Sequence, residues 1–477
     1  MTEREILADF LFPDIDKTPD YYEKLYPSRD LKEGARVTRF APSPTGYLHF
    51  GNLFTCVASY LTAKNTNGVF FVRVEDTDQK RKVDGAVGAM LKGLSVYGIN
   101  ADEGVVAEDK EIGDYGPYYQ SHRKEIYQAY AKDLVKRDLA YPCFCTAEEI
   151  EQIRNSQEGE DIKGYYGKYA KCRNLTFEQI KANIEGGMPW TLRLKSPGDI
   201  NKKCYFDDMI KGKIEMPENV IDVVLLKTDG IPTYHFAHAV DDHLMRTTHV
   251  TRGDEWIASV PLHLQLFKVL GFKPVKYAHI APIMKEENGG KRKLSKRKDP
   301  EAAVSYYDEV GFPAESVNEY ILTLLNSNFE DWRRANQNAP LSDFPFNLKK
   351  MSASGALFDF VKLTDVSKNV ISKMPAQKVF ELSYAWAKGY NPQLASLFEQ
   401  DEQKAVDILN IDREGKKPRK DFACWSEVKE FVSYFYDELF KADNSQYPEN
   451  ITEDERKAIL KEYINIKLLY YFYRHVV

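Results

Sequence analysis

The sequence predicts an α/β protein in which a parallel sheet comes first and helices dominate the last third. Residues 36–41 have the composition of a buried strand, and apolar residues then follow helical spacing from Gly51 to Leu61. Residues 69–74 form a second, largely apolar strand. A strand, a helix and a strand in this order indicate a parallel βαβ unit. From Tyr320 onward, Trp, Tyr and Leu recur at helical spacing, which predicts helical domains.

The remaining elements extend this plan. A helix is expected at about 83–97, and residues 140–219 break the pattern with cysteines and short strands, which indicates an inserted subdomain. A buried strand resumes at 223–226. Residues 250–252 and 278–280 are expected to end further strands.

Composition restricts the class of protein. The chain has 477 residues, 43% of them hydrophobic, which is enough for several packed domains. Six cysteines are too few for a disulfide scaffold in a chain of this length. The N-terminus has mixed charge and no apolar core of a signal peptide, so we expect a cytoplasmic protein. The net charge of −6 does not indicate nucleic-acid binding, although local basic patches remain possible.

The first motif with chemical meaning runs from Arg39 to Asn52, with the sequence Arg-Phe-Ala-Pro-Ser-Pro-Thr-Gly-Tyr-Leu-His-Phe-Gly-Asn. A strand enters a turn rich in proline, and His49 then stands at the start of a helix. Exposed amides at a helix N-terminus attract phosphate, and Gly51 allows the backbone to approach a ligand closely. The alternative for His49 and Gly51 alone is an ordinary turn with a capping histidine.

The second motif is the basic run Lys291–Lys298, which follows Asn288-Gly289-Gly290. The glycines predict a mobile loop, and its lysines could approach a phosphate that gains negative charge during reaction. A solvated basic loop is the alternative.

Three further motifs accompany these two: Arg73-Val-Glu-Asp-Thr-Asp78, Pro232-Thr-Tyr-His-Phe-Ala237 with Val240-Asp-Asp-His243, and Arg252-Gly-Asp-Glu-Trp256. Together with Lys293-Leu-Ser-Lys-Arg297, and in this order over about 36–365, they resemble the glutamyl-tRNA synthetases of the class I family, of bacterial type. The resemblance implies a Rossmann-type parallel-sheet catalytic domain with an inserted α+β subdomain. Mainly helical stem-contact and anticodon-binding domains would follow.

The resemblance divides the chain into six segments: an N-terminal extension (1–35), the first half of the catalytic domain (36–139), an inserted acceptor-binding subdomain with the cysteines (140–219), the second half of the catalytic domain (220–285), the Lys-Leu-Ser-Lys-Arg loop with the stem-contact domain (286–365), and a helical anticodon-binding domain (366–477). The final helix at 463–477 lacks a capping signal, and relatives continue beyond this point. We therefore expect a shortened anticodon domain.

The resemblance also assigns an amino-acid pocket for glutamate. Arg39 and Arg252 would bind the side-chain carboxylate, because guanidinium forks match its geometry. Glu75 would pair with the ammonium, and Tyr234 would line the pocket. An ion pair of Arg252 with Asp254 or Glu255 is the structural alternative.

The other residues near this pocket are less clearly assigned. Ser43 is either a substrate hydrogen-bond donor or a turn residue. Asp76 and Asp78 are expected to be turn or capping residues. His238 stands where relatives often have Asn, which leaves its contact with the substrate open.

The implied reaction is attack of the glutamate carboxylate on the α-phosphorus of ATP, followed by transfer to the terminal adenosine of tRNA(Glu). His49, Lys293 and Lys296 would stabilise the charge, with Mg²⁺ bridging the phosphates. Asn52 would donate a hydrogen bond to ATP without adding charge. The residues expected to bind ATP are His49, Gly51, Asn52, Lys293, Ser295 and Lys296. A monomer is the family default.

A cysteine cluster in the insertion raises the question of zinc. Some relatives bind zinc through a Cys-x-Cys and a later Cys, which here would be Cys143, Cys145 and Cys172. Tyr169 or Tyr166 would be an unusual fourth ligand. Free buried thiols are the alternative.

Candidate tRNA contacts lie toward the end of the chain. Basic runs that could contact phosphates are Arg333-Arg334, Lys349-Lys350 and 416–420. Trp332 and Trp425 could stack on unpaired bases or belong to the core.

Competing functions are weaker on sequence grounds. A glutaminyl enzyme usually has a different sequence at 41–45, and the short paralogue that glutamylates a modified base lacks the helical C-terminal part. A broader nucleotidyltransferase would lack Arg252 and the motif at 232–234. A regulatory paralogue without activity would not need the charged residues of the motifs.

Overall fold

The computed structural model describes residues 1–477 except 45, 47, 79–82, 296, 414, 416–417, 441–451, 456, 460 and 463–477. Lys296 and the expected C-terminal helix at 463–477 therefore lie outside the described residues. The chain divides into two compact units: 1–304 with 322–358, and 305–321 with 359–477.

The helices have the following bounds: α1 Glu3–Leu11, α2 Pro19–Leu25, α3 Phe50–Lys64, α4 Ala86–Val96, α5 Lys124–Lys136, α6 Ala147–Asn155, α7 Phe177–Glu185, α8 Tyr234–Leu244, α9 Val260–Leu270, α10 Ser305–Val310, α11 Ala314–Leu325, α12 Phe329–Ala335, α13 Phe360–Ser372, α14 Ala376–Tyr390, α15 Pro392–Gln400, α16 Glu402–Asn410 and α17 Val428–Val432. The strands are β1 Val37–Phe40, β2 Val69–Val72, β3 Glu103–Ala107, β4 Lys110–Ile112, β5 Ala140–Cys143, β6 Thr191–Leu194, β7 Lys203–Asp208, β8 Gly212–Pro217, β9 Val224–Leu226, β10 His249–Gly253, β11 Lys276–Ile280, β12 Met284–Glu287, β13 Gly290–Lys293 and β14 Leu357–Phe358.

The predicted α/β class with a parallel sheet is confirmed. β1 pairs in parallel with β2 from Val37 opposite Val69 to Phe40 opposite Val72, and α3 connects them. β2 pairs in parallel with β3, and β4 adds an antiparallel edge. All four residues of β1 are buried, as expected for a strand covered on both faces.

A second parallel pair lies beside β1. β10 and β11 pair from His249 opposite Lys276 onward, and the amide of Thr248 donates to the carbonyl of Val37 at 2.9 Å. The strands that follow β1 in sequence, β2 and β3, lie on one side of it, whereas β10 and then β11 lie on the other side. In open parallel sheets, ligands bind at the carboxyl ends of the strands where the strand order reverses.

The insertion has its own sheets. β5, β6 and β9 form a three-stranded antiparallel sheet, and β7 with β8 forms a separate hairpin. The buried strand expected at 223–226 is present as β9, but it pairs with β6 and not with the strands of the parallel sheet. The reason is that its partner lies in the preceding insertion, which its apolar sequence could not reveal.

The N-terminal segment packs onto the first unit. Leu7, Leu11 and Tyr22 are buried, and α1 contacts α5. The guanidinium of Arg29 binds Glu103 through two hydrogen bonds of 2.5 and 2.9 Å. Residues 1–35 are therefore an integral part of this unit in spite of their three prolines.

The basic run at 291–298 begins in a hairpin, where composition predicted a mobile loop. β12 and β13 pair antiparallel, and Asn288 and Gly289 both have positive φ angles, 52° and 76°. Two successive residues of this kind form the tight turn typical of two-residue hairpins. The glycines thus serve to reverse the chain, and Lys291–Lys293 lie in a strand.

The second unit is mainly helical. α13 to α17 surround a core that includes Val379, Phe398, Leu409 and Val428. Along the described part of the chain, we find no helix with the length and apolar character needed to cross a bilayer.

Candidate active site

A cleft of 710 Å³ opens at the carboxyl ends of β1 and β10 in the first unit. Nine of the residues selected from the sequence line it, although they come from five separate stretches of the chain: Arg39, Ser43, His49, Gly51, Asn52, Glu75, Tyr234, Arg252 and Lys293. Ser295 is not among the lining residues, and the described structure does not include Lys296.

Arg252, at the carboxyl end of β10, has neutral hydrogen-bond partners throughout the part of the chain that the structure describes. Its Nε donates to Nε2 of His279 at 3.0 Å, and its Nη2 lies 3.2 Å from Nδ1 of His263. Weaker contacts reach Oη of Tyr234 at 3.5 Å and the carbonyl of Trp256 at 3.4 Å. Among the described residues, Arg252 forms no ion pair with Asp254 or with Glu255, and Asp254 pairs instead with Lys211 at 2.8 Å.

Arg39 belongs to a buried ionic network. Its Nε lies 3.3 Å from Asp242, which also accepts a hydrogen bond from Nη1 of Arg73 at 2.7 Å. Burial alone would raise the pKa of Asp242, but Arg73 and Arg39 hold that pKa well below its ordinary value. The network holds the side chain of Arg39, which lines the cleft, beside Asp242.

Glu75 lies at the edge of the same network. Nη2 of Arg73 donates to its carboxylate at 3.0 Å. Burial raises the pKa of Glu75, although Arg73 and Arg39 oppose this shift. A carboxylate held in a lined cleft by one arginine can still accept an ammonium group on its other side.

His49 is the N-cap of α3. Its Nδ1 accepts a hydrogen bond from the amide of Gly51 at 2.9 Å, so a neutral ring carries its proton on Nε2. A Cβ atom at position 51 would lie 3.2 Å from that Nδ1, which explains why glycine suits the position. His49 therefore both caps α3 and lines the cleft.

Lys293 reaches the cleft from the end of β13, and Asp299 anchors the segment that follows. The carboxylate of Asp299 accepts hydrogen bonds from Arg292 at 2.6 and 2.8 Å, from the amide of Ser295 at 2.9 Å and from Lys285 at 3.2 Å. The hydrogen bond from Arg292 is the largest cause of the lowered pKa of Asp299. The backbone of the basic run is thus tied to one buried carboxylate.

Asp76, Asp78 and His238 have distinct environments. Asp76 is buried and accepts hydrogen bonds from the amide and hydroxyl of Ser121 at 2.9 and 2.6 Å, whereas Asp78 lines the cleft. His238 lies behind Tyr234, 2.7 Å from Asp242 and 2.9 Å from the hydroxyl of Tyr277. Burial lowers its pKa to about 4.

The three cysteines of the insertion lie together. Sγ atoms of Cys143, Cys145 and Cys172 are all within 4.8 Å of one another, and the Cys145–Cys172 separation is 3.7 Å. Tyr169 as a further ligand stays a prediction, and its hydroxyl donates to Glu160 at 2.8 Å. The hydroxyl nearest the thiols is that of Tyr165, 3.3 Å from Cys145.

Some of the candidate tRNA contacts are exposed and others are buried. Trp425 is buried in the core of the second unit, which excludes stacking on an RNA base. Trp332 is partly buried against Phe329 and Phe344, and the adjacent Arg334 is exposed. Lys349 and Lys350 are also exposed, whereas residues 416 and 417 lie outside the described structure.

Several residues of the site were given no role from the sequence. Arg73 and Asp242 lie within two of the quoted motifs, so the signal was present without an assignment. Asp299 closely follows the basic run. His263, His279 and Asp208 have no local pattern that marks them, because their partners are distant in the sequence.

Residues 36–364 match the family model "tRNA synthetases class I (E and Q), catalytic domain". The chain belongs to this family. It is 51% identical to the glutamate–tRNA ligase of Clostridium perfringens strain 13 over 463 residues, covering 96% of this chain and 85% of that protein. It is 52% identical to the glutamate–tRNA ligase of Clostridium beijerinckii, again over 463 residues, covering 96% of this chain and 84% of that protein.

Solved structures agree with this membership. The structure resembles the glutamate tRNA ligase from Elizabethkingia meningosepticum in complex with its amino acid, with a TM-score of 0.70 and 29% sequence identity. That alignment covers 88% of this chain and 82% of the other. The resemblance to class I synthetases stated from the motifs is thereby confirmed.

Proposed function

We propose that this protein is a glutamate–tRNA ligase. It activates glutamate with ATP to glutamyl-adenylate and transfers the glutamyl group to the 3′-terminal adenosine of tRNA(Glu), releasing AMP and pyrophosphate. The observation that carries the proposal is one cleft lined by both Arg39 and Arg252 together with His49 and Lys293. Such a cleft can hold an amino acid with an anionic tail beside a polyphosphate.

The amino-acid end of the cleft has the charges that glutamate requires. Arg252 offers a guanidinium with neutral hydrogen-bond partners, which favours a carboxylate over an amide. Glu75 would supply the counter-charge for the ammonium group, and Tyr234 also lines the cleft. Arg39 adds a second positive charge, part of which Asp242 compensates.

The nucleotide end is formed by α3 and the β12–β13 hairpin. The N-terminus of α3 and Nε2–H of His49 would donate to phosphate oxygens, with Gly51 and Asn52 at the same helix start. Lys293 would add positive charge, and we propose Ser295 and Lys296 as further ATP contacts. A Mg²⁺ ion bound with ATP would supply positive charge that lowers the mutual repulsion of the phosphates.

The chain's residues act in this reaction by position and charge. They would align the glutamate carboxylate for attack on the α-phosphorus, from which pyrophosphate leaves as the new bond forms. His49 and Lys293 would stabilise the negative charge that spreads over the phosphate oxygens. No side chain needs to form a covalent bond.

An aminoacylation assay tests the proposal. Purified protein, ATP and labelled glutamate should charge tRNA(Glu), and excess glutamine should not compete. The Lys293→Ala, Lys296→Ala double variant should bind tRNA normally and form no adenylate. If none of the glutamate- or glutamine-specific tRNAs tested is charged, the proposal is contradicted. Because this branch is expected to activate glutamate only with tRNA bound, the assay includes tRNA throughout.

We also propose that the insertion binds zinc through Cys143, Cys145 and Cys172. The separation of 3.7 Å between Cys145 and Cys172 matches the spacing of about 3.8 Å expected for two thiolates at 2.3 Å from a tetrahedral zinc. Hydrogen bonds from Cys145 and Cys172 lower the pKa of Cys143, which favours a thiolate there. The metal would be structural, because none of the three cysteines lines the cleft.

Metal analysis of the purified protein tests this. We expect about one zinc per chain, and Cys172→Ser should lose most of it because two thiolates bind weakly. Cys204→Ser is the matched control, since Cys204 lies outside the cluster, and it should retain full occupancy. Wild-type protein without metal would show that these are free thiols.

The tRNA would extend over several segments. We propose that 140–219 contacts the acceptor end, 286–365 the stem and 366–477 the anticodon, with the exposed Arg334, Lys349 and Lys350 among the phosphate contacts. We further propose that the protein is cytoplasmic and monomeric. Sedimentation at micromolar concentration would test the oligomeric state.

A further inference from the structure

The environment of Arg252 differs from that of two other buried arginines, Arg39 and Arg73. Arg39 and Arg73 share the carboxylate of Asp242 at 3.3 and 2.7 Å. None of the ion pairs found within the described ranges includes Arg252, whose strongest hydrogen bonds go to His279 and His263. Its positive charge is therefore held in place without being neutralised.

The donor and acceptor chemistry determines the state of His279. A guanidinium nitrogen can only donate, so Nε2 of His279 must accept and cannot carry a proton. The proton then sits on Nδ1, which donates to Asp208 at 2.6 Å. Asp208 is itself fixed by the amides of Ile210 and Lys211 at 3.0 and 2.9 Å.

The same argument applies to His263 on the other side of the guanidinium. Nη2 of Arg252 donates to Nδ1 of His263, which leaves the ring proton on Nε2. Nε2 then donates to Nδ1 of His235 at 2.9 Å. His263 and His279 are fully buried, and burial lowers the pKa of both rings, in agreement with neutral imidazoles.

We propose that His279 and His263 are positioning residues that hold Arg252 toward the cleft as neutral acceptors, so that its full charge is available to the side-chain carboxylate of the substrate. Two imidazoles fix the Nε and Nη2 edge, and Nη1 keeps hydrogen-bonding capacity beside Tyr234. A carboxylate in their place would orient the arginine equally well but would repel glutamate. This assignment rests on the proposed function.

The arrangement also gives the inserted hairpin a role in the pocket. Asp208 ends β7, and the amide of the next residue, Met209, donates to the carbonyl of Tyr277 in β11 at 2.9 Å. The tip of the β7–β8 hairpin thus sets the tautomer of His279 from outside the parallel sheet. The amino-acid pocket is completed by the insertion.

Substitutions at position 279 test the proposal through the kinetic constants of glutamate charging. His279→Phe keeps the ring volume and removes the acceptor, and it should raise the KM for glutamate about 10- to 100-fold, the effect of losing one hydrogen bond to a charged group. His279→Gln places an amide oxygen near the position of Nε2 and should stay within about fivefold of wild type. The KM for ATP should change less than twofold in both variants.

Position 263 provides an independent pair. His263→Leu should raise the KM for glutamate, and His263→Asn, whose oxygen replaces Nδ1, should restore it. Thermal unfolding of each variant separates loss of fold from loss of positioning. If the polar and apolar variants at both positions behave alike, or if the KM for ATP rises with that for glutamate, the two histidines are merely structural.

Nitrogen NMR of histidine-labelled wild-type protein requires no substitution. At pH 7.5 we expect a neutral ring protonated on Nδ1 for His279 and on Nε2 for His263. A protonated ring or the opposite tautomer at either position would overturn the proposal. Wild-type protein that charges no tRNA with glutamate would instead refute the proposed function, and the NMR result would then stand alone.

Discussion

At the scale of single residues, the cleft depends on how three buried arginines are compensated. Asp242 shares its carboxylate between Arg39 and Arg73, while Arg252 has imidazole partners. Buried charges without partners are costly, and removal of one member of a buried pair commonly costs about 3–5 kcal/mol. The buried charge of Arg252, which has no carboxylate partner among the described residues, is therefore best explained by an anionic ligand.

Replacing Arg252 with lysine should abolish most glutamate recognition. Lysine keeps the charge but cannot bond His279, His263 and a carboxylate at once, because it lacks the planar fork. We expect the KM for glutamate to rise at least about 100-fold, the equivalent of two charged hydrogen bonds, with the KM for ATP nearly unchanged. Steady-state charging kinetics measure both constants.

Arg154→Lys, at an exposed position of α6, is the matched control and should behave as wild type. A normal KM for glutamate in Arg252→Lys would remove Arg252 from the substrate site.

At the scale of elements, a hairpin presents the basic run to the cleft. The tight turn at Asn288 and Gly289 reverses the chain, and Asp299 then binds both Arg292 and the amide of Ser295. Lys293 stands between these anchors. Its approach to phosphate is therefore set by local hydrogen bonds as well as by charge.

Asp299→Ala should reduce charging without removing a group that touches substrate. Loss of the anchor lets the segment after β13 shift, and displacement of a reacting group by about 1 Å can cost roughly 100-fold in rate. We expect kcat to fall about 10- to 100-fold, measured at saturating glutamate and tRNA, with the KM for glutamate little changed.

Glu287→Gln is the control, since Glu287 pairs with the same Arg292 at an exposed position. Exposed ion pairs contribute at most about 1 kcal/mol, so this variant should keep near-normal kcat. Equal loss in both variants would show that Arg292, and not the buried anchor, controls the segment.

At the scale of the whole molecule, the buried histidines make stability depend on pH. Burial lowers the pKa of His238 and of His249 to about 4 from the ordinary value of 6.5. Between these values the unfolded chain binds a proton that the folded protein does not. The stabilising contribution is thus complete above pH 6.5 and is lost as the pH falls toward 4.

We expect the free energy of unfolding to decrease by about 1.4 kcal/mol per pH unit for each such histidine below pH 6.5. Urea unfolding at pH 7.5, 6.5 and 5.5 measures this slope. His238→Asn removes one titrating ring and should reduce the slope by about that amount. Stability that is flat from pH 7.5 to 5.5 would contradict the assigned pKa directions.

The sequence by itself determined the parallel α/β class, the family and the main charged residues of the cleft. Strand composition and helical spacing are local, and β1, α3 and β2 follow from them directly. The motifs identified Arg39, His49, Glu75, Tyr234, Arg252 and Lys293 as candidates, and the fold brings all six to one cleft. These features could be predicted because each is encoded within a short stretch of chain.

Only the tertiary structure decided what surrounds those residues. The pairing of β9 with β6, the contact of Asp208 with His279 and the proximity of Tyr165 to the thiols join positions far apart in sequence or unmarked by any motif. Such partners determine which nitrogen of a histidine carries the proton and whether the positive charge of an arginine is neutralised. A hydrogen bond is set by distance in space, and one chain's sequence records only neighbours along the chain.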